Sequence, residues 1–385
     1  MATVFQKCKK ATENPCTKAR CGHAWTVRYR EPGGRSGRQR EKTFPTKKQA
    51  EDYGVKVEND KHEHVYIDPD AGKITCRAYW AEYQERRHVK VTTSYRNEKS
   101  FERHLAPVIG RKSLANVVAA DIERIAATMK SGGLSVATFY AVTRPVQGMF
   151  RQAVRDKRIT VSPFDTAVLP KMPPKAVDET ELPTFGDVSR IARGMKPENA
   201  VGIWLMAGCG LRIGEAMAVR ASDFRTVAGT RVLRIRRQVQ KVRNDAGKLT
   251  AALVPLKHRE EGDWRDVPVP TLVWNHVQWH VKRFGTAEDG RLIRTKAGAL
   301  VHPDWYREDW YKAVPRTSEG KTRWTPHDLR HYFASTCLLN GLPLLSVSRW
   351  LGHASIQETA DTYGHLTPDA VDTAVSVLDG VLTAA

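Results

Sequence analysis

A proline-rich segment near the middle of the chain, residues 169–175 (LPKMPPK), divides the sequence into parts that fold separately. Proline lacks a backbone N–H and fixes φ, so three prolines in seven residues favour an extended linker over a helix or a central strand. A chain of 385 residues is also longer than one hydrophobic core usually serves. We therefore expect a domain boundary here, and three domains at residues 1–68, 73–168 and 179–385.

The first 50 residues are the most basic part of the chain, with 13 Lys and Arg against three Glu. Residues 25–31 alternate apolar and polar side chains, a Gly-rich turn follows, and residues 38–44 are read as a second strand. A capping-box pattern comes next, so the segment predicts a ββα module. We predict that its basic side chains bind DNA, since a two-stranded sheet can enter the major groove. A solvated sheet without a partner is the alternative. The candidate contacts are Arg28 and Arg30 on one face of the first strand, and Arg38, Arg40 and Lys42 on one face of the second.

Four potential metal ligands precede this hairpin: Cys8, Cys16, Cys21 and His23. Zinc suits three thiolates and an imidazole in a small domain that has little core of its own. The spacing of seven, four and one intervening residues does not match a standard zinc finger. A structural zinc at the amino end is therefore a hypothesis to be tested by metal analysis.

Residues 75–163 show apolar side chains three or four positions apart in four segments, which predicts a four-helix domain. Pro145 lies inside the last segment and indicates a kink or a later helix start. After the linker, helical patterns at 184–193 and 201–208 precede two strand patterns at 231–239 and 264–270, and helices return after residue 327. The expected fold class is multidomain and mainly α with small β-sheets, ending in a mixed α+β domain. No apolar stretch approaches the roughly 20 residues of a membrane span, and we expect a cytoplasmic protein.

The formal charge of +20 indicates a polyanionic partner, because each neutralised phosphate releases condensed counterions. Cations and imidazoles stand close in sequence to a candidate phenol nucleophile, Tyr363, which follows His353 by ten residues. His327 and Arg330 are three positions apart on a helical pattern, so both can face one phosphate. Arg212 follows a Gly-rich turn in another segment and can hold the same phosphate from a second side. This combination indicates DNA cleavage through a protein tyrosine.

Three runs resemble the motifs of the tyrosine recombinases, the phage-integrase family: 208–216 (GCGLRIGEA), 327–335 (HDLRHYFAS) and 351–363 (LGHASIQETADTY). The resemblance spans most of the third domain. It implies that Tyr363 attacks a DNA phosphate to form a 3′-phosphotyrosyl link. It further implies catalytic roles for Arg212, His327, Arg330 and His353, with the tyrosine proton left open between the two histidines. No cofactor is expected for catalysis.

The leaving 5′-oxygen needs a general acid, and the run 254–269 resembles the lysine hairpin of the same family. Lys257 is the candidate, with His258 and Lys248 as alternatives, since the family usually has Lys-Thr at this point. His331 and His365 flank the motifs and are expected to be structural. A Ser355-to-Glu358 capping box predicts that His353 lies between two helices and that Tyr363 lies about two turns into the second.

The resemblance implies an integrase of a phage or mobile element, because an amino-terminal basic module precedes the two domains that grip DNA. Its expected partners are double-stranded attachment sites, three further copies in a homotetramer, and accessory DNA-bending and excision-directing proteins. An apolar stripe at 371–378 predicts a tail helix that packs on a neighbouring protomer or on its own domain. The alternatives are a type IB topoisomerase, a non-catalytic DNA-binding protein of the same fold, and a resolvase of replicon or telomere junctions.

Overall fold

The computed structural model describes residues 2–6, 23–33, 36–89, 91–243, 249–257, 260–367 and 371–382. These residues form two compact units, Met1–Pro173 and Pro174–Ala385. The boundary between the units falls inside the proline-rich segment. The further division of the first unit into two domains stays a prediction.

The amino-terminal part of the first unit is a three-stranded antiparallel sheet, β1 (Thr3–Gln6), β2 (Trp25–Arg30) and β3 (Gln39–Phe44), followed by helix α1 (Lys47–His62). Sequence analysis predicted β2, β3 and the helix but not β1. The α1 helix begins where expected, since the Thr46 hydroxyl accepts a hydrogen bond from the Gln49 N–H.

The rest of the first unit is helical, as predicted from the apolar periodicity. It contains α2 (Cys76–Glu85), α3 (Val91–Ser100) with a π-helical continuation (Phe101–Gly110), α4 (Ala119–Ser131), α5 (Val136–Arg155) and the short α6 (Pro163–Thr166). Its core includes Trp80 stacked on Phe101 with ring centroids 4.7 Å apart. The α5 helix runs through Pro145 without a break, so the later start considered for this helix is wrong.

The second unit begins with α7 (Phe185–Gly194), α8 (Val201–Cys209) and α9 (Ile213–Ala216). Two small sheets follow, one of β4 (Phe224–Val227), β5 (Thr230–Ile235) and β8 (Arg265–Pro268), the other of β6 (Arg237–Arg243) and β7 (Leu249–Pro255). The single strand predicted at 231–239 is in fact two, because the chain leaves one sheet and enters the other at Arg236.

Six helices complete the second unit, and they are α10 (Thr271–Phe284), α11 (Pro303–Ala313), α12 (Pro326–Leu339), α13 (Leu344–Leu351), α14 (Ile356–Tyr363) and α15 (Val371–Leu382). Close packing of α12 on α8 depends on Gly210, which ends α8 with φ +64°. A Cβ at this position would lie 2.4 Å from the Phe333 ring, so glycine is required by both conformation and space. No helix in the described ranges is long and apolar enough to cross a membrane.

Candidate active site

The amino end of α12 presents the predicted His327 and Arg330. Thr325 caps this helix: its hydroxyl accepts from the His327 N–H, and Asp328 accepts from the Thr325 N–H in return. This reciprocal pair fixes the first turn of α12, and therefore the positions from which both side chains depart. The Arg330 side chain points inward and is 1% exposed, whereas His327 is exposed.

Two guanidinium groups converge on the carboxyl end of α13. Arg330 donates to the Gly210 carbonyl at 2.8 Å and to the Leu351 carbonyl at 2.6 Å. Arg212 donates to the same Leu351 carbonyl and to that of Gly352, both at 3.3 Å. The last carbonyls of a helix carry partial negative charge and lack partners within the helix, so they hold the two cations together. The structure thus brings the two predicted arginines to one point.

Burial and the neighbouring Arg212 lower the pKa of Arg330 to about 9, which leaves the guanidinium charged at neutral pH. A compensating carboxylate lies directly beside the two arginines. Glu215, 2% exposed, accepts from the Arg212 side chain at 3.1 Å and from its backbone N–H at 2.9 Å. Although burial raises the pKa of Glu215, the surrounding guanidinium groups, led by that of Arg265, lower it to about 2. A carboxylate is therefore present at all ordinary pH values.

Arg265 was not selected by sequence reasoning, yet it completes this cluster. It begins β8 and donates to both Glu215 oxygens, at 3.1 and 2.6 Å, and to the Trp350 carbonyl at 2.7 Å. Its charge balances Glu215, so one carboxylate holds two arginines in fixed orientations. Two features of the sequence could have identified this pair. Glu215 lies three residues after Arg212 within the first motif, and Arg265 lies near the start of a predicted strand.

Tyr363 is the last residue of α14, two turns from its start, as predicted, and is 1% exposed. Its hydroxyl lies 2.6 Å from Nδ1 of His331, which follows His327 by one helical turn. Burial raises the pKa of Tyr363, while the Arg330 charge opposes that rise. His331, expected to be structural, therefore contacts the candidate nucleophile directly.

His353 lies between α13 and α14, where Gly352 adopts φ +65°. Its Nδ1 is 2.7 Å from the Thr359 hydroxyl. Burial and the charges of Arg330 and Arg212 lower the pKa of His353 to about 3, so the ring is neutral. The predicted capping box is wrong in detail: Ser355 occupies the cap position, but its side chain accepts no capping hydrogen bond.

His327 lines an open cleft of about 500 Å³ together with Arg212. Other cations of the cleft are Lys241 and Arg307, both paired with Asp304. Desolvation by the surrounding protein and the neighbouring charges lower the pKa of His327, so its ring is neutral at pH 7. A neutral, accessible imidazole beside guanidinium groups is suited to contact an anionic group in this cleft.

The candidate general acid, Lys257, is exposed in the turn after β7. The alternatives His258 and Lys248 lie outside the described residues. The role of Lys257 therefore stays a prediction.

The five candidate DNA contacts of the first unit do not form one basic face. The register pairs Tyr29 with Arg40 and Val27 with Lys42, so these two cations lie on the α1 side of the sheet. Arg40 pairs there with three carboxylates, those of Glu31, Asp68 and Asp70. The other face carries two of the candidates, Arg28, paired with Glu41, and Arg30, while Arg38 is exposed just before β3.

Three of the four candidate zinc ligands, Cys8, Cys16 and Cys21, lie outside the described residues, and His23 lies within them. Elsewhere in the described part of the chain, no group of three or more His, Cys, Asp or Glu is arranged to hold a metal.

The tail helix α15 has exposed apolar side chains at Val375 and Leu378.

The model of the phage integrase family matches residues 176–369, half of the chain. A tyrosine recombinase XerC-like protein of Caldanaerobacter subterraneus subsp. tengcongensis is 24% identical over 277 residues, covering 67% of this chain and 70% of the relative. The XerC of Bacillus licheniformis is 24% identical over 287 residues, covering 70% and 84%.

Two groups of solved structures share the fold. The Tn1549 transposon integrase in complex with a circular intermediate DNA has a TM-score of 0.58 and 21% identity, covering 80% of this chain and 99% of that one. A lambda integrase tetramer bound to a Holliday junction has a TM-score of 0.52 and 14% identity, covering 86% and 94%. The arginine cluster and buried tyrosine are thus set in the fold of a DNA breaking-and-rejoining enzyme. The chain belongs to the phage integrase family of tyrosine recombinases.

Proposed function

We propose that this protein is a site-specific integrase that cleaves and rejoins double-stranded DNA through a 3′-phosphotyrosyl intermediate on Tyr363. The proposal rests mainly on one observation: the Arg212 and Arg330 side chains both donate hydrogen bonds to the Leu351 carbonyl. Leu351 ends α13, and Tyr363 ends the next helix, α14. A phosphate in the adjoining cleft meets Arg212 first, since its side chain is 23% exposed.

The chemical step needs stabilisation of the negative charge that builds on phosphorus when the phenol oxygen attacks. Positioned guanidinium groups in a partly dehydrated site provide this, and such electrostatic effects are usually the largest part of enzymatic rate enhancement. Arg212 and Arg330 supply two positive charges. The Glu215 carboxylate beside them offsets part of this charge and so reduces the repulsion between the guanidinium groups. His353 and His327, both neutral, are available to hydrogen-bond the phosphate oxygens.

The leaving 5′-oxygen takes a proton from a general acid, for which Lys257 is the candidate. When the 5′-hydroxyl of another strand attacks the phosphotyrosyl bond, the same steps run in reverse and restore the phenol. The diester bond energy is kept in the protein linkage, so rejoining needs no nucleotide or metal.

Tyr363 must become accessible before it reacts, because a side chain that is 1% exposed cannot meet a DNA phosphate. We propose that DNA binding shifts the end of α14 enough to uncover the Tyr363 hydroxyl beside the arginine pair, while the hydroxyl stays within hydrogen-bond reach of His331. Local displacement of one helix end is compatible with the modest stability of such short elements.

The mobile-element role is supported by the amino-terminal sheet and helix. Matches to XerC relatives cover 42–71% of this chain, whereas two lambda integrase structures span 86% and 90% of it. A recombinase without the extra module therefore leaves about a third of the chain or more unmatched. We propose that the extra module binds a second class of DNA site, and that recombination proceeds in a homotetramer aided by DNA-bending and directionality proteins.

A two-plasmid assay tests this function. Genomic fragments from the organism that carries the sequence are cloned, and exchange between two copies of a fragment is scored by sequencing of the junctions. We expect exchange at one defined sequence, and only between partners that share it. Relaxation of any supercoiled plasmid without exchange would instead identify a topoisomerase, and binding without any strand breakage would contradict an enzymatic role.

A further inference from the structure

His331 is in direct contact with the atom that becomes the nucleophile. Its Nδ1 lies 2.6 Å from the Tyr363 hydroxyl oxygen, and the two rings are 5.6 Å apart at an angle of 54°. Within the described ranges, this is the one hydrogen bond of that hydroxyl. His327, the other histidine of α12, has its ring 4.7 Å from His331 in an edge-on arrangement and faces the cleft of Arg212 instead.

We propose that His331 is the catalytic base that accepts the Tyr363 hydroxyl proton. This inference rests on the proposed function. In the cleavage step the Tyr363 oxygen forms its bond to phosphorus while its proton passes to Nδ1 of His331. The bond from phosphorus to the 5′-oxygen breaks, and that oxygen takes a proton from the general acid. Rejoining returns the His331 proton to the phenol oxygen.

The protonation state of His331 suits an acceptor. Burial lowers the pKa of His331, the Arg330 charge lowers it further, and Asp328 opposes this, so the ring is neutral at pH 7. With Nδ1 accepting from the phenol, the ring hydrogen lies on Nε2. The arriving DNA phosphate adds negative charge near Arg330, which favours transfer of a proton to the ring.

His331 lines a second pocket, which has a volume of about 480 Å³ and does not include Arg212 or His327. Three carboxylates line it, those of Asp178, Glu181 and Asp328, against one guanidinium, that of Arg323. Asp328 favours a positive charge on either histidine, but an imidazolium on His331 is opposed by Arg330 alone, whereas one on His327 is opposed by both Arg330 and Arg212. The titratable and charged groups around His331 are His327, Asp328 and Arg330 on its own helix and Tyr363 on α14. Asp178, Glu181 and Arg323 line the same pocket from the segments before α7 and α12.

The His331→Asn variant distinguishes a residue that accepts the proton from one that only positions the Tyr363 hydroxyl. The asparagine Oδ1 can accept the hydrogen bond in place of Nδ1 but cannot take the proton. We measure the rate of covalent protein–DNA adduct formation on a nicked DNA site, from pH 5 to pH 10. Loss of a general base typically costs about 100-fold or more, and we expect such a loss at pH 7. We also expect the residual rate to rise with pH as the phenol ionises by itself.

The leaving group provides a second readout. A 5′-bridging sulfur leaves as a thiolate and needs no general acid, so it should restore Lys257→Ala but not His331→Asn. In His331→Ala, added imidazole should restore the rate in proportion to its neutral fraction. His365→Asn is the matched control, since His365 lies two residues from Tyr363 but bonds the Val177 carbonyl, and its rate should equal wild type.

Two results would overturn the assignment. One is a wild-type rate of adduct formation in His331→Asn. The other is a defect of the His331 variants that the 5′-bridging sulfur substrate relieves and that added imidazole does not relieve in His331→Ala. A wild-type protein that forms no adduct on any DNA would contradict the proposed function itself. The adduct formed by the unaltered protein therefore distinguishes failure of the function from failure of the base assignment.

Discussion

Replacing Glu215 with glutamine should destabilise the second unit strongly, because this carboxylate holds two arginines in a buried site. Glu215→Gln leaves Arg265, 6% exposed, without its charged partner and adds one uncompensated positive charge beside Arg330. Removing one partner of a buried ion pair typically costs about 3–5 kcal/mol. An independent figure comes from the lowering of the Glu215 pKa from 4.5 to about 2, which corresponds to about 3 kcal/mol.

The assay is urea unfolding followed by tryptophan fluorescence, which reports mainly on the second unit because eight of the ten tryptophans lie there. Glu319→Gln is the matched control: Glu319 pairs with Lys321 at 2.9 Å on the surface, and we expect a loss below about 1 kcal/mol. A lowered folded-state pKa means that the Glu215 contribution is present above pH 4.5 and is lost as the pH falls towards 2. The difference between wild type and Glu215→Gln should therefore shrink over that interval. A difference below about 1 kcal/mol at pH 7 would refute the reasoning.

Further predictions concern the packing of α8, the segment before α7 and the amino end. Gly210→Ala should lower the unfolding free energy by about 2–4 kcal/mol, since the new methyl meets Phe333 and φ is +64°; Gly229→Ala, with φ +79° and open space, should cost only about 1 kcal/mol in the same urea titration. His365→Phe should speed amide hydrogen exchange at residues 174–178, because it removes the bond to the Val177 carbonyl, while the unfolding midpoint stays nearly unchanged. One zinc per chain should be found by elemental analysis and lost in Cys16→Ser, and a metal-free wild type would end the zinc hypothesis.

The local features of the fold could be predicted from the sequence because their causes are local. Thr46 begins α1 through a hydrogen bond to a residue three positions on, and the glycine at 352 sets the break that places His353 between two helices. The position of Tyr363 at the second turn of α14 follows from the same short-range geometry.

The missed features depend on contacts between distant segments. Strand β1 has only four residues, and its pairing of Val4 with Val27 leaves no local pattern. The strand predicted at 231–239 divides because its two halves have different partners, β8 and β7. Alternation showed which side chains of one strand share a face, but the register between strands decided that Arg40 and Arg28 lie on opposite faces.

Contacts between distant segments also explain which residues of the site were not predicted. Arg265 meets Glu215 across 50 positions of sequence, and His331 meets Tyr363 across 32. The motif residues were identified from a pattern of residue types. Such a pattern predicts which side chains take part in the reaction, but it does not predict which of them are in contact with one another. Only the packing of α12 against α14 shows that His331, and not His327, contacts the phenol.

All of the proposed chemistry requires Tyr363 to be the nucleophile. The decisive measurement uses nicked genomic fragments from the organism that carries the sequence, with adducts recovered on a denaturing gel and mapped by peptide mass spectrometry. We predict that wild type forms an adduct on Tyr363 and that Tyr363→Phe forms none while still folding and binding DNA. Tyr311→Phe is the control, since Tyr311 is an exposed tyrosine in the cleft of Arg212, and it should form the adduct as wild type does. An adduct that persists in Tyr363→Phe, or that maps to Tyr311, would contradict the account.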